Sequence, residues 1–234
     1  MHPPHEDLDL AHFRELLSSS ALNVVNQAIE LLRALDEPSL WQALREGVRI
    51  NEASKVVLDE SCRFKGAAHG THVALWVLNK TGALKGLETI DLSYCRSLTN
   101  LDALSGCTQL RTLNLRGCDE LTNLDALSGC TQLTTLHLSE CDKLTNIDAL
   151  SGCTQLTTLH LYGCKALTNL DGLSGCTQLT TLQLSYCRSL TNLDGLSACT
   201  QLTSLDLRSC TSLPESIRRY YGSRPEIIAL LESL

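Results

Sequence analysis

The 234-residue sequence predicts an α/β solenoid, in which short strands and turns wind into stacked coils around one aliphatic core. Three observations lead to this fold class. A 13-residue segment occurs five times at a spacing of 23 residues. Each copy carries apolar residues at regular intervals, and only 4% of all residues are aromatic. The segments before and after the copies lack this period and show helical spacing instead.

The repeated segment runs from Leu98 to Leu110, and the same letters return from Leu121 to Leu133. Three further copies begin at residues 144, 167 and 190, and each differs at one or two positions. We take Leu87 as the first place of the first unit. The five full units then span 87–109, 110–132, 133–155, 156–178 and 179–201. A sixth, partial unit begins at Leu202. Such a fixed period is the sequence signature of a repeat architecture.

The apolar places within one unit predict how each coil folds. In the second unit they are Leu110, Leu113, Leu115, Cys118, Leu121, Leu124, Leu127 and Cys130. The segment Leu113-Asn114-Leu115 alternates, as a short strand with one buried face does. The later spacing of three residues fits turns and single 3₁₀ turns that wind back behind the strand. One coil cannot bury its own apolar stripe, but stacked coils can.

The spacing Leu110-x-x-Leu113-x-Leu115-x-x-Cys118-x-x-Leu121 resembles the leucine-rich repeat, with Cys in the place that Asn often holds. The repeat length and the Leu-Thr-Asn-Leu-Asp-x-Leu-Ser-Gly turn are most similar to bacterial internalin-type repeats and to the related phosphatase-regulator type. The resemblance covers residues 87–213. It implies a right-handed solenoid with a short-stranded parallel sheet on the concave side and 3₁₀ or loop segments on the convex side.

Residues 1–86 are predicted to be a helical N-terminal cap with one irregular starting repeat. Residues 10–17 and 24–32 have helical spacing, and Pro38 suits the first turn of a third helix. Val56-Val57-Leu58 is predicted to start the sheet, followed by a helical return through residues 73–78. All four Phe and Trp residues lie in this segment, as expected of a cap over an aliphatic core: Phe13, Trp41, Phe64 and Trp76.

Residues 87–213 are then the leucine-rich repeats, five full and one partial, and residues 214–234 are predicted to be a helical C-terminal cap. Pro214 ends the repeat, and residues 216–220 and 225–231 have the spacing of closing helices. For both ends, capping is the favoured interpretation over an independent function.

Eleven of the twelve cysteines lie in the repeats, six at the ninth place and five at the twenty-first. No Cys-x-x-Cys occurs, so the spacing of a zinc site is absent. Stacking would bring column neighbours within disulfide distance, but their side chains should point in parallel into the core. We therefore predict free thiols that act as small buried residues and weak S–H donors to loop carbonyls. Reduced columns predict a cytoplasmic, reducing location, with export as an effector left open.

Two polar columns in the turn are predicted to be structural. The Asp column begins at Asp102, and each Asp precedes a short turn whose backbone N–H its carboxylate can accept, as a helix N-cap does. Calcium would need six or more oxygen ligands and a Gly-rich loop around each site. The Asn column, which begins at Asn100, is predicted to make ladder hydrogen bonds to the loops.

The places that vary between copies predict the binding surface, because the 13-residue segment is nearly constant. The second, fifth, seventh and eighth places vary, and the fifth lies between two inward leucines and so faces solvent. A sheet of six strands is roughly 24–29 Å wide, which suits a protein or peptide better than a small metabolite. The predicted partner-binding residues on the concave face are Asp91, Tyr94, Arg111, Asn114, Arg116, His137, Glu140, His160, Tyr162, Gln183, Tyr186, Asp206 and Arg208.

Within this set the tyrosines are the expected anchors, since exposed Tyr supplies much contact area at low entropy cost. His137 and His160 should be neighbours, but no third ligand is placed to complete a metal site, so contact with solvent or a partner is the better interpretation. The alternative for the whole surface is that a mixed polar face only keeps the solenoid soluble.

Composition and motifs narrow the function. A net charge of −7 argues against binding nucleic acid through its phosphates, and no apolar run approaches the ~20 residues that span a membrane. The first seven residues have no Lys or Arg and lead into no apolar stretch, so no ordinary secretory signal is predicted. Gly-x-Ser-x-Gly, a phosphate-binding Gly loop and His-Glu-x-x-His are all missing, so no enzyme and no cofactor are predicted.

We therefore predict a monomeric, non-enzymatic module that binds a protein or peptide on the concave face. Two alternatives stay open. One is a bacterial effector that is exported by a non-classical route and binds a host protein. The other is a regulatory subunit of an enzyme such as a phosphatase, which is an analogy at the level of the fold.

Overall fold

The computed structural model describes residues 70–233 without a break and, before them, residues 15–17, 19, 25, 27–30, 44, 48–50 and 56–58. The chain divides into two compact units. The described residues up to Ala83 belong to the first unit, and those from Leu84 onward belong to the second.

The first unit contains helical residues at 15–17 and 27–30, as the spacing predicts. Of the four Phe and Trp residues of the predicted cap, Trp76 is buried. The other three lie outside the described residues. Helix α1 (Gly70–Lys80) buries six consecutive residues, 73–78, so it is enclosed on all sides. The helical return through these residues is therefore confirmed.

The first unit also contains a two-stranded antiparallel sheet of β1 (Val48–Ile50) and β2 (Val56–Leu58), and α1 lies against both strands. The prediction that the second of these segments starts the repeat sheet is wrong. Both segments are rich in β-branched residues, and only five residues separate them, so they pair locally with each other instead.

The second unit is built on a seven-stranded sheet. Six parallel strands lie side by side in chain order, and each residue pairs with the residue 23 positions later. These strands are β3 (Thr89–Asp91), β4 (Thr112–Asn114), β5 (Thr135–His137), β6 (Thr158–His160), β7 (Thr181–Gln183) and β8 (Ser204–Asp206). The parallel sheet and the 23-residue coil agree with the predicted fold class.

Short 3₁₀ turns follow the strands at Asp102–Leu104, Asp125–Gly129, Asp148–Gly152, Asp171–Leu173 and Asp194–Leu196. The side chain that bonds to the start of each turn comes from the Asn two residues before the Asp, not from the Asp itself. The Asn123 side-chain oxygen accepts the backbone N–H of Asp125 at 3.2 Å, and the other four copies repeat this bond. The Asp is already inside the turn, two residues after the Asn, so the prediction of an Asp cap is wrong. The ladder between neighbouring turns is made by Thr hydroxyls, such as Thr122 to the carbonyl of Thr99.

The predicted inward places form the core of the second unit. All are buried except Leu87 and Cys95, which are half-buried. Ninth-place cysteines from the second repeat onward donate their S–H to the leucine carbonyl 26 residues earlier, at 3.0–3.3 Å. Twenty-first-place cysteines reach carbonyls of the preceding coil at 3.5–3.9 Å. The eleven described cysteines are free thiols, as predicted, and all of them except Cys95 are described as donors to backbone carbonyls.

The C-terminal end differs in part from its prediction. Residues 225–231 lie in helix α2 (Arg224–Leu231), which has Pro225 in its first turn. Residues 216–220 are not a helix, because a 3₁₀ turn (Glu215–Ile217) leads into strand β9 (Tyr220–Tyr221). β9 pairs antiparallel with β8 and buries Tyr221 while Tyr220 stays exposed, so its two residues alternate as a strand rather than as a helix.

Candidate binding surface

The fifth-place residues form one row across the exposed face of the sheet, as predicted, because the parallel strands pair in register. The ends of the row bond to their own backbone. Asp91 accepts the N–H of Ser93 at 2.8 Å, and Asn114 accepts that of Arg116 at 3.1 Å. Such local bonds fix the chain after the strand. The middle of the row is therefore the part whose polar atoms remain for a partner.

Three side chains make up this middle part. The rings of His137 and His160 stack with centroids 4.5 Å apart and planes 18° apart. Nδ1 of His160 lies 2.6 Å from Oε1 of Gln183, and because an amide oxygen only accepts, Nδ1 carries the proton. Burial lowers the pKa of His137, and the neighbouring His160 lowers it further. The stacked imidazole pair thus presents ring edges that carry hydrogen-bonding nitrogen atoms.

The part of the chain that the structure describes contains no group of three or more His, Cys, Asp or Glu side chains arranged to hold a metal ion. The closest cysteines in sequence, Cys141 and Cys164, are buried in the core.

The eighth place lies just beyond the end of each strand and has the same unusual backbone in every repeat. Its φ is between 61° and 73° in all six copies, the left-handed region that favours glycine. Gly117 and Gly163 occupy it in two copies, whereas the others carry Tyr94, Glu140, Tyr186 and Ser209. A left-handed residue with a Cβ costs about 1 kcal/mol or more.

Glycine follows a large seventh-place residue in two repeats. Gly117 follows Arg116 and Gly163 follows Tyr162, whereas Ser209 follows Arg208 in the sixth repeat. A Cβ on Gly117 would lie 2.6 Å from the ring of Tyr94, so a side chain at this position would displace that exposed ring.

The tyrosines lie exposed along this edge. Tyr94, Tyr162 and Tyr186 are 50%, 40% and 41% exposed. The rings of the last two contact each other at a centroid distance of 5.3 Å. Arg116 lies 5.5 Å from the Tyr94 ring and donates to Glu140 at 2.9 Å, so this guanidinium links the first and third repeats.

Asp206 and Arg208 have different roles. The Asp206 side chain is only 7% exposed, because Arg208 covers it with two hydrogen bonds of 2.9 and 2.7 Å. Burial alone would raise the pKa of Asp206, but the hydrogen bonds and charge of Arg208, with a hydrogen bond from Ser185, hold that pKa below its usual value. Asp206 therefore orients the exposed guanidinium rather than offering a contact itself.

The second place is largely structural. Arg111 pairs with Glu88 at 3.7 Å, and both side chains are exposed. From the third repeat onward this place is Thr, and Thr134 donates to the carbonyl of Arg111 at 3.0 Å. Later copies continue this ladder from coil to coil.

The sequence analysis omitted the tenth place, which also varies and carries charge: Arg96, Asp119, Asp142, Lys165 and Arg188. These residues border an open cleft of about 380 Å³ at the edge of the sheet, here called the rim cleft, which is also lined by Glu140, Tyr162, Gly163 and Tyr186. Variation between copies was the signal that could have found them. Tyr220 was also missed, because it was assigned to a helix; it lies directly opposite Asp206 and is 53% exposed.

Comparison with known proteins agrees with this architecture. The family described as Leucine Rich repeats (2 copies) matches residues 85–129 and 131–175. The predicted leucine-rich repeats are thereby confirmed over residues 85–175. Comparison with curated protein sequences gives no match. None of the helices among the described residues has the length and apolar character needed to cross a membrane.

Several solved structures are similar to parts of this chain. An internalin from Listeria monocytogenes is 20% identical with a TM-score of 0.47, over 79% of this chain and 53% of that one. A leucine-rich repeat protein from Leptospira interrogans is 22% identical with a TM-score of 0.46, over 58% of this chain and 43% of that one. The leucine-rich repeat domain of the type III effector XopL is 20% identical with a TM-score of 0.37, over 88% and 91%. The chain thus spans about half the length of the internalin, and at this identity the likeness concerns the fold alone.

Proposed function

We propose that this leucine-rich-repeat solenoid is a non-enzymatic module that binds a protein or peptide across the exposed face of its parallel sheet. Solenoids of stacked repeats use such extended faces as binding surfaces. The partner-contacting part is the middle of the fifth-place row together with the tyrosines and Arg116 at the edge of the sheet.

The observation that carries this proposal is the left-handed eighth place. Gly117 and Gly163 show that the coil accepts glycine there, yet Tyr94 and Tyr186 hold the same backbone with large, exposed side chains, and Glu140 holds it with a half-buried one. Each costs about 1 kcal/mol or more relative to glycine. Such strain is characteristic of functional positions, where the side chain serves something other than the stability of the fold.

The stacked and paired side chains add preorganisation. His160 is held by Gln183, Arg116 by Glu140 and Arg208 by Asp206, so their positions are fixed before a partner arrives. Side chains that are already ordered lose less entropy on binding. Tyr and Arg are also the residue types in which binding energy tends to concentrate.

Site-specific photo-cross-linking tests the proposal. Tyr162 on the sheet side and Ser128 on the exposed turn are each replaced by p-benzoylphenylalanine, and both full-length proteins are irradiated in a lysate of the source organism. We expect a partner to cross-link at position 162 and not at 128. The purified partner should then lose about 2 kcal/mol of binding free energy, roughly thirtyfold in Kd, with Tyr162→Ala.

The double variant His137→Ala/His160→Ala should also weaken binding, measured by isothermal titration calorimetry. The matched controls are Ser128→Ala and Asp148→Asn on the turns, which should leave the Kd unchanged. A partner that cross-links only at 128, or whose affinity falls with the turn variants but not with Tyr162→Ala, would show that the binding face is misassigned.

A further inference from the structure

The rim cleft arises because one eighth-place side chain is missing. Glu140 and Tyr186 occupy the eighth place in the third and fifth repeats, and Gly163 lies between them. A Cβ on Gly163 would meet nothing closer than 3.8 Å, so the space above this glycine is open. Tyr162 lies at the side of this space, with its ring against that of Tyr186.

The charges around the cleft are unevenly matched. Lys165 pairs with Asp142 at 2.7 Å, Arg96 with Asp119 at 3.7 Å, and Glu140 is held by Arg116. Every acidic side chain that borders the cleft therefore has a basic partner. Arg188 makes no salt bridge to any described residue and instead lies 5.9 Å from the Tyr186 ring.

Lys165 and Arg188 occupy the same place in adjacent repeats, so their backbones lie about 4.8 Å apart. The charge of Arg188 affects Lys165. The bond to Asp142 raises the pKa of Lys165, and the nearby charge of Arg188 lowers it. Neither the Tyr162 nor the Tyr186 hydroxyl bonds to another described side chain, so both remain as donors.

We infer that the rim cleft takes an acidic side chain, Asp or Glu, from an extended segment of the partner. Its carboxylate lies between Lys165 and Arg188, and its stem lies over Gly163 beside the two tyrosine rings. This inference rests on the proposed function, since it names the chemistry that one part of that surface recognises. A basic side chain fits less well, because it would have to displace Arg116 or Lys165 from an existing pair and lie beside Arg188.

Fluorescence anisotropy with three labelled peptides, hexaglutamate, hexaglutamine and hexalysine, tests the inference on the full-length protein. We expect hexaglutamate to bind more tightly than the other two, and more tightly still at low salt. Arg188→Gln should weaken hexaglutamate binding by up to about fivefold, the upper end for an exposed ion pair. The matched control is Arg224→Gln on α2, which changes the net charge equally at an exposed position outside the cleft and should have no effect.

A second pair of variants tests the shape of the cleft without changing charge. Gly163→Gln fills the space, and the backbone should tolerate it because Glu140 has the same conformation with φ 64°. Ser209→Gln is the control at the same place in the sixth repeat. We expect only the first to abolish hexaglutamate binding, and thermal melting verifies that both variants fold.

Two outcomes overturn the inference: hexaglutamate binding no better than hexaglutamine, or equal loss with Arg188→Gln and Arg224→Gln. Either leaves the proposed function standing if Tyr162→Ala still weakens the cross-linked partner. The converse outcome is that hexaglutamate binding depends on Arg188 while the partner cross-links only at position 128. That result would retain the rim cleft as a site for acidic side chains and refute the wider binding face.

Discussion

Raising the pH should unfold this protein, because its core contains two columns of thiols that keep their protons in the folded state at a pH at which an unfolded chain releases them. Seven buried cysteines, each at most 1% exposed, have pKa values raised by burial to about 11 or 12: Cys130, Cys141, Cys153, Cys176, Cys187, Cys199 and Cys210. Burial also raises the pKa of Cys107, Cys118 and Cys164. In an unfolded chain a thiol titrates near pH ~8.5.

The direction follows from proton binding. Above about pH 8.5 the unfolded chain releases thiol protons that the folded chain keeps, so the free energy of unfolding falls as the pH rises. The stabilisation is fully present below this pH and is lost progressively up to the folded pKa values. At pH 10 each thiol removes about 2 kcal/mol, since one pKa unit corresponds to ~1.4 kcal/mol. The seven together remove about 14 kcal/mol, which is as large as the whole stability of a typical domain.

Urea unfolding followed by circular dichroism, in reducing buffer from pH 8 to 10.5, measures this dependence. We expect the protein to be unfolded by about pH 10 even without urea. The double variant Cys176→Ala/Cys199→Ala should be less stable at pH 8, but its free energy of unfolding should fall less steeply with pH. The slope of the variant should be smaller than that of the wild type by about 3 kcal/mol per pH unit. Leu173→Ala, three residues before Cys176 in the same core, should lower stability without changing the slope.

A wild-type slope below about 3 kcal/mol per pH unit between pH 9 and 10 would refute the reasoning, because even three buried thiols would exceed it. An identical slope in the double cysteine variant would refute it equally.

Three further predictions concern the coils. Gly172→Ala should lower the free energy of unfolding in urea by about 2 kcal/mol, since its Cβ would clash with the carbonyl oxygen of Ile147. The control Gly129→Ala meets nothing within 4 Å and should be nearly neutral. Equal effects of the two substitutions would contradict the described contact between coils. Asn123→Ala should cost about 1 kcal/mol through loss of its turn cap, while Asp125→Asn should change stability little, and the reverse order would restore Asp as the cap. Thiol titration of denatured, unreduced protein should find nearly all twelve cysteines reactive, and two or fewer would mean that the columns are disulfides.

The coil could be predicted from the sequence because its core is periodic. With the unit aligned at Leu110, the same eight places are buried in every full repeat, apart from Leu87 and Cys95 in the first. Burial on one side of a strand leaves little freedom of register, since a shift by one residue would turn every leucine to solvent. The row of His137 and His160 followed from the same alignment.

The errors lie where the period does not apply. Asn100 and Asp102 are both good capping residues, and which of them caps depends on where the turn begins, which the spacing of three does not determine. Val56–Leu58 and residues 216–220 lie outside the repeats, where short apolar segments fit a strand or a helix equally well. The rim cleft was missed because its charges follow the strand, where alternation no longer says which way a side chain points.

Variation between copies is therefore evidence for binding only where it conflicts with the stability of the coil. At the second place Thr134 and its successors make a ladder from coil to coil, so their presence is explained by the fold itself. At the eighth place the fold favours glycine, yet Tyr94 and Tyr186 occupy it at a cost and remain exposed. A residue that only kept the solenoid soluble would have no need of this backbone or of an aromatic ring. The edge of the sheet at the eighth place is accordingly the part of the surface that we propose contacts a partner. The rim cleft opens at the same edge.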